Sequence, residues 1–246
     1  MDIGTAKPTL QEQVEVRHHL LDVVEPNEPF SVAQFKALAL QAIDDIAARG
    51  KVPIMVGGTG LYIDAVLYDF SFRDAPNPDL RAELANLSVA ELQQRLVEMG
   101  LPLPHNAKNP RHLIRAIETN GIAPHREPLR THTFVTGLVV PREVLAERIR
   151  TRTAAMIAHG FEGEVRALVA KYGWDSPGLQ APGYKAFREY IAGTISLAEA
   201  ADVFARNDLQ LAKRQKTWFQ RNESIHWYAD PNKLVEDATT FLNKSA

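Results

Sequence analysis

The chain has 246 residues, of which 45% are hydrophobic and 24% are charged, and it contains no cysteine. This composition is that of a globular protein, and it excludes disulfide bonds and thiolate metal sites. A formal net charge of −2 excludes a global basic field, so any surface that binds nucleic acid must be a local patch. We see neither a signal peptide nor a run of about 18 apolar residues that would span a membrane. We therefore expect a cytoplasmic protein without membrane partners.

The N-terminal part of the chain alternates between predicted helix and predicted strand. A helix is predicted over 32–49, because Ser31 and Gln34 have the spacing of a capping box and apolar residues then recur at helical spacing. The short apolar run 51–56 follows and leads into a glycine-rich turn at 57–60, where another helix begins. Continuous apolarity over so few residues indicates a strand buried on both faces. Helix, buried strand, glycine turn and helix are typical of a parallel α/β sheet.

The pattern changes near residue 74, where two closely spaced prolines interrupt it. Short helices are predicted next over 78–85, 88–98 and 109–119. Ser88 and Glu91 form a capping box for the second, and Asn109 caps the third, which has Pro110 at its first position. We interpret 76–130 as a small helical insert in an α/β core. The core then consists of residues 1–75 and 131–246.

The α/β pattern returns after the insert. The segment 131–140 is predicted to be a strand, and helices are predicted over 141–158 and 161–171. Ser196 and Glu199 form a further capping box, which begins a helix that reaches about Arg221. A last edge strand is predicted over 224–228.

The turn at Gly57, Gly58 and Thr59 is the first candidate for chemistry. Ligands of parallel sheets bind beyond the carboxyl ends of the strands, and a helix N-terminus offers free amides to an anion. A plain strand-to-helix turn would also favour glycine, so the pattern alone leaves both readings open. The chain has neither a GxxxxGK[ST] phosphate loop nor a GxGxxG dinucleotide motif.

Basic residues are concentrated on the last predicted helix, which also contains Trp218 and Phe219. Cationic side chains neutralise RNA phosphates, and an aromatic ring stacks on a base. The alternative is a solvated helix face with its aromatic residues in the core. The basic positions are Arg206, Lys213, Arg214, Lys216 and Arg221.

Two smaller basic groups occur earlier in the chain. Arg148 and Arg152 lie one helical turn apart, a spacing with which two guanidinium groups can grip a diphosphate. Arg111, His112 and Arg115 form a basic face on one helix of the insert. Each group is also compatible with an ordinary solvated face.

Together, the motifs of this chain resemble those of the tRNA dimethylallyltransferase family. The order and spacing hold from residue 1 to about residue 228. The matching segments include 2–8 (DIGTAKP), 53–62 (PIMVGGTGLY), 115–118 (RAIE), 183–185 (GYK), 212–215 (AKRQ) and 217–219 (TWF).

The resemblance implies a P-loop-NTPase-like parallel α/β core with a helical insert that grips the anticodon stem-loop of tRNA. It implies transfer of a dimethylallyl group from dimethylallyl diphosphate to N6 of the adenine 3′ to the anticodon, with Mg²⁺ as cofactor and a monomeric enzyme. Thr59 resembles the threonine of the reaction channel, while Arg152 resembles an arginine that holds the diphosphate together with Arg148 and the glycines Gly57 and Gly58. The predicted tRNA contacts are Arg81, Arg111, His112, Arg115, Lys213, Arg214, Gln215 and Trp218.

The chain also departs from the family pattern. Family members begin with a strand, a GPTxSGKT phosphate loop and an Asp-Ser segment that holds the proposed base, and none of these is present here. Asp208-Leu209 stands where Thr-Arg is usual, and His112 where an arginine is usual. Three hypotheses follow: an active transferase whose true start lies upstream of Met1, a non-catalytic tRNA-binding remnant, or a nucleotide prenyltransferase or kinase of the same fold.

Overall fold

A computed structural model describes residues 1–72, 77–122 and 125–245. Within these residues, no helix combines the length and the hydropathy needed to cross a membrane. The helices are α1 (Leu10–Glu15), α2 (Val32–Ala48), α3 (Gly60–Leu67), α4 (Pro78–Ala85), α5 (Val89–Glu98), α6 (Pro110–Glu118), α7 (Arg142–Ala158), α8 (Phe161–Tyr172), α9 (Pro182–Ile191), α10 (Leu197–Phe219) and α11 (Pro231–Ser245).

Two short strands form a parallel pair, which confirms the predicted α/β class. Strand β1 (Val135–Leu138) lies beside β2 (Ile225–Tyr228), with Val135 opposite Ile225. The strand predicted over 131–140 is therefore real but shorter, and the predicted last strand has the expected place. The long connection between two parallel strands is filled by helices, as such a crossover requires.

The chain divides into two compact units. The first contains Met1–Val66 and the residues from Thr131 onward, and the second contains Leu67–Arg130. The boundary that we predicted between residues 75 and 76 falls in the segment 73–76, which lies outside the described residues. The second unit begins earlier, at Leu67. The second unit has a core of its own, formed by Leu84, Leu92, Leu96, Leu113 and Ile117.

The strand predicted over 51–56 is wrong. Residues 51–59 have no regular secondary structure, and the side chains of Ile54 and Val56 are 81% and 90% exposed. A strand needs a neighbour with which it exchanges backbone hydrogen bonds, and no described segment pairs with this run. Apolar sequence alone therefore did not determine the conformation here.

The predicted capping boxes are confirmed. The side chains of Ser31, Ser88 and Ser196 accept the amide of the third helical residue, whose own side chain accepts the cap amide in return. Helices α1, α9 and α11 were missed, although each has a recognisable start. A Thr9–Glu12 capping box precedes α1, and a proline is the first residue of α9 and of α11.

Four aromatic rings form the centre of the first unit. Phe161 at the start of α8 lies 5.1 Å from Tyr184, 4.7 Å from Phe187 and 5.4 Å from Phe204, between ring centroids. All four side chains are at most 2% exposed. Because they come from α8, α9 and α10, burial of these rings fixes the three helices against one another.

The carboxylate of Glu164 joins the N-terminal segment to this core. It accepts hydrogen bonds from the amides of Asp2, Ile3 and Gly4 at 2.6, 2.9 and 3.0 Å, and from the Tyr184 hydroxyl at 2.6 Å. Burial opposes the charged form, but these donors outweigh it, so the pKa of Glu164 lies below the ordinary 4.5. Burial, followed by the neighbouring Glu164 carboxylate, raises the pKa of Tyr184.

We expect Glu164→Gln to lower the free energy of unfolding by about 2 kcal/mol at neutral pH, because several donors lose a charged acceptor. The folded-state pKa of Glu164 is lowered, so its contribution is complete above pH 4.5 and is lost as the pH falls through the lowered pKa. Urea unfolding at pH 7 and at about pH 3 measures both effects. Glu189→Gln, at an exposed position on α9, is the matched control and should change little. Equal stability of the two variants at neutral pH would contradict the role of Glu164 in holding the N-terminal segment to the core.

Candidate functional site

The glycine turn leads directly into helix α3. The carbonyl of Thr59 accepts the amides of Tyr62 and Ile63 at 3.0 and 3.1 Å, so Thr59 stands immediately before the first turn of the helix. The Thr59 side chain is exposed, as is Gly57, and Gly58 is half-buried. The predicted position of Thr59 at a helix N-terminus is therefore correct, although no strand precedes it.

Helix α10 packs against this turn at a very short distance. A β-carbon built on Gly58 would lie 2.1 Å from Nε2 of Gln215, and one on Gly60 would lie 2.3 Å from the indole of Trp218. Non-bonded carbon atoms normally stay about 3.5 Å apart or more. At Gly60 the neighbour is the Trp218 ring, so only glycine fits there while that ring keeps its place, whereas at Gly58 the flexible end of Gln215 could move aside. Packing therefore explains Gly60 without reference to a ligand.

Trp218 fixes the end of α10 to α3. Its Nε1 donates to Oδ2 of Asp64 at 2.8 Å, while its side chain remains 42% exposed. The other carboxylate oxygen, Oδ1 of Asp64, is buried without a hydrogen-bond partner in the described part of the chain. Trp218 thus packs against α3 and still has a partly accessible ring. Its packing in the protein therefore does not exclude stacking on a base, the other role that the sequence left open. Asp64 was not predicted, because nothing in its local sequence signals the contact.

A cavity of about 340 Å³ lies between α7 and α10. One part of its lining is apolar, formed by Leu145, Ile149, Leu211 and Ala212. The polar part consists of Arg148, Arg152, Asp208 and Gln215. Gln215 also contacts the turn at Gly58, and it therefore connects the cavity with the turn. The structure places Arg148 and Arg152 in one cavity with Gln215, a predicted tRNA contact whose side chain reaches Gly58.

Inside this cavity Arg152 is paired with an acidic residue. Nη2 of Arg152 donates to Oδ2 of Asp208 at 2.6 Å, and the two side chains are 51% and 11% exposed. The sequence identified Asp208 only as a departure from the family pattern. Their contact joins residues 56 positions apart, and such a tertiary contact has no local sequence signal.

A second cavity, of about 520 Å³, lies near the N-terminus but has the wrong charge for a phosphate ligand. Four of its lining residues are acidic: Asp2, Asp22, Glu25 and Glu28. Its lysine, Lys7, already forms ion pairs with Asp2 and Asp22. Although this cavity is larger, we favour the cavity between α7 and α10 as the anion site because its cations outnumber its single carboxylate.

The outer face of α10 presents the basic residues that the sequence predicted. Lys213 and Arg214 are exposed, and neither has an ion-pair partner within residues 1–72, 77–122 and 125–245. Arg206, Gln210, Arg214, Thr217 and Arg221 are three or four residues apart and therefore share one face, and all five are exposed. Because Asp208 and Gln215 point to the opposite side, into the cavity, α10 has a packed face and a basic face. Trp218 lies one helical turn after Arg214, between the two faces.

In the second unit, two of the predicted basic residues share one buried carboxylate. Glu118 is 3% exposed and pairs with Nε of Arg81 at 2.8 Å and with Nη1 of Arg115 at 3.3 Å. This contact holds Arg81, in α4, against the end of α6. Arg111 and His112 are exposed in the first turn of α6. All four residues therefore lie on the surface of this unit, two of them held by Glu118.

The α/β chain thus has a glycine turn beside a cavity lined by arginines and apolar side chains, an arrangement typical of enzymes that bind small ligands. The family model for IPP transferases matches residues 1–222 of the chain. The chain therefore belongs to the IPP transferase family, and the predicted class of enzyme, a transferase, is confirmed.

Similar proteins agree with this assignment. The chain is 41% identical to a tRNA dimethylallyltransferase of Roseiflexus, over 99% of this chain and 85% of that relative. It resembles the crystal structure of a full-length tRNA isopentenylpyrophosphate transferase from Bacillus halodurans, with a TM-score of 0.73, 35% identity, and coverage of 99% and 83%. A eukaryotic dimethylallyltransferase acting on tRNA shares the fold, with a TM-score of 0.75 at 22% identity over 94% of this chain and 64% of that one.

We expect Gly60→Ala to destabilise the protein by about 1 to 3 kcal/mol, because the added methyl group overlaps the Trp218 ring. Gly163→Ala is the matched control: a β-carbon there meets nothing within 4 Å, and alanine in a helix interior should stabilise by about 0.5 to 1 kcal/mol. Urea unfolding of the two variants measures the difference. If Gly60→Ala were as stable as Gly163→Ala, the close packing of α10 on the turn would be wrong.

Proposed function

We propose that this chain transfers a dimethylallyl group from dimethylallyl diphosphate to N6 of the adenine 3′ to the anticodon of tRNA. The observation that carries the proposal is the cavity between α7 and α10. It combines an apolar wall with two guanidinium groups, which are the two chemistries of an isoprenyl diphosphate. The proposal places the enzyme in the cytoplasm, with its tRNA, as a monomer.

The arginines provide the electrostatic part of the reaction. The bond between the allylic carbon and the diphosphate oxygen breaks, and the oxygen keeps the electron pair. Arg148 and Arg152 hold the diphosphate through charge-assisted hydrogen bonds, which become stronger as negative charge develops on the leaving oxygen. Leu145, Ile149 and Leu211 surround the five-carbon group and exclude water from it.

The glycine turn is the place that we assign to the acceptor. The new bond joins N6 to the allylic carbon, and the proton that N6 then loses is taken up by the departing diphosphate. In this arrangement the exposed Thr59 hydroxyl accepts a hydrogen bond from N6 and orients its lone pair towards the cavity. The exposed part of the Trp218 ring supplies a surface on which a flipped base can stack.

The tRNA itself is bound by the basic surfaces of each unit. Lys213 and Arg214 on α10 and Arg111 on α6 carry charges that have no ion-pair partner among the residues described, and they are free to neutralise phosphates. Arg81 and Arg115 are oriented by Glu118 and add charge at the same unit's surface, where His112 also lies. With a net charge of −2 for the whole chain, binding through such local patches should be strongly weakened by salt.

The described residues offer no site for Mg²⁺ that is made by the protein alone. Within the described ranges, no group of three His, Asp or Glu side chains is arranged to hold a metal ion. Mg²⁺ is commonly bound by substrate phosphates with one or two carboxylates. We therefore propose that any Mg²⁺ of this enzyme is carried by the diphosphate, whose charge it would partly neutralise.

A second candidate is a protein that binds tRNA without modifying it. The pairing of Arg152 with Asp208 favours it, because a guanidinium group already engaged by a carboxylate binds a diphosphate less readily. Both candidates require the basic face of α10, but only the first requires Arg152.

We expect Arg152→Gln to lower kcat/KM for transfer to an anticodon stem-loop by about 100-fold, because a donor to the leaving group is lost. Arg150→Gln is the matched control: Arg150 is an exposed arginine of the same helix that does not line the cavity. Transfer of radiolabelled dimethylallyl groups measures both variants. Equal losses in the two variants would contradict the assigned cavity, and stem-loop binding without any transfer by the wild-type chain would favour the second candidate.

A further inference from the structure

Asp208 is the one carboxylate among the residues that line the proposed diphosphate cavity. Its side chain is only 11% exposed, and its Oδ2 lies 2.6 Å from Nη2 of Arg152. Arg148, Arg152 and Gln215 are the other charged or amide side chains of the cavity. Asp208 therefore stands within the set of groups that would meet a diphosphate.

This position has two consequences for an anionic ligand. The guanidinium of Arg152 gives one of its donors to Asp208, so a diphosphate must share or displace that contact. The Asp208 carboxylate also repels the ligand's own charge, and the repulsion is weakly screened because Asp208 is largely buried. Both effects weaken binding by similar amounts whether or not the diphosphate carries an isoprenyl group.

The apolar wall distinguishes the two forms of the ligand. Leu145, Ile149 and Leu211 gain contact only with a diphosphate that carries the isoprenyl group, since burial of apolar surface stabilises the bound state. Inorganic diphosphate, the leaving group of the reaction, lacks this contribution. A constant penalty from Asp208 therefore leaves the substrate bound and the product weakly held.

We propose that Asp208 competes with the diphosphate for Arg152, and that this competition limits the retention of the inorganic diphosphate after transfer. The proposal rests on the proposed function, because it assumes that the cavity binds the leaving group. In the ligand-free protein Asp208 also positions the Arg152 side chain, which is half exposed and would otherwise be mobile. Asp208 thus acts through Arg152 and is a positioning residue.

Calorimetric titration of the full chain with inorganic pyrophosphate tests the proposal. We expect Asp208→Asn to bind pyrophosphate about tenfold more tightly than the wild-type chain, because a competing charge is removed while the shape of the side chain is kept. Asp202→Asn, an exposed aspartate of the same helix, is the matched control and should bind like the wild type. Asp208→Ser is a second variant, and thermal unfolding confirms that each variant is folded.

The dependence on Arg152 separates competition from a merely structural effect. In an Arg152→Gln background, Asp208→Asn should raise pyrophosphate affinity clearly less, by about threefold, because only the direct repulsion of the ligand remains and no contact is left to compete for. If both Asp208 variants bound pyrophosphate as the wild type does, or more weakly, the proposal would be overturned and the proposed function would stay intact. An equal gain in affinity in the Arg152→Gln background would have the same meaning. No binding to any variant would overturn both. If Asp208→Asn bound pyrophosphate more tightly as expected, but the wild-type chain transferred no dimethylallyl group to tRNA, the competition would be supported and only the proposed function would be contradicted.

Discussion

Two side chains of helix α10 reach the turn before α3: the Trp218 ring lies closer to Gly60 than a β-carbon would allow, and the end of Gln215 lies against Gly58. The same helix supplies Phe204 to the aromatic core and Asp208 and Gln215 to the cavity beside α7. Its position therefore determines three parts of the first unit at once: the core, the turn before α3 and the arginine cavity. Because Trp218 hydrogen-bonds to Asp64 at 2.8 Å, the end of the helix is held to α3 by a polar contact as well as by packing.

The two faces of α10 separate two electrostatic tasks. Its packed face contains a single acid, Asp208, whose charge is balanced by Arg152. Its outer face contains exposed cations, including Lys213 and Arg214. A helix arranged in this way can orient a small diphosphate on one side and contact a large polyanion on the other, with the aromatic ring of Trp218 at its end. This division links the proposed substrate site to the proposed tRNA surface through one rigid element.

Local sequence signals predicted most of the helices and the two paired strands, but not the conformation of the run 51–56. The capping boxes at Ser31, Ser88 and Ser196 are confirmed because a cap is completed within four residues of its own chain. The apolar run 51–56 was predicted as a strand and is exposed, because strand formation depends on partners that are distant in sequence. Helices α9 and α11 were missed although proline begins each of them.

The candidate site shows the same limit. Thr59, Arg148 and Arg152 could be selected from motif and spacing, and the structure places Arg148 and Arg152 in one cavity with Gln215, which also contacts the turn of Thr59. The tertiary partners that control them, Asp208 for Arg152 and Asp64 for Trp218, could not be identified, because each contact joins residues far apart in the chain. Glu118, which holds Arg81 and Arg115, was recognised only as part of a family motif.

The central claim is that the glycine turn and the arginine cavity form one site because α10 joins them. Hydrogen–deuterium exchange of the full chain, with and without dimethylallyl diphosphate, tests this claim most directly. The account predicts that the ligand slows amide exchange in the first turn of α3 and in the 208–215 segment of α10 together, while exchange around the acidic cavity near Lys7 stays unchanged. Slower exchange confined to that acidic cavity, or to only one of α3 and α10, would contradict the claim.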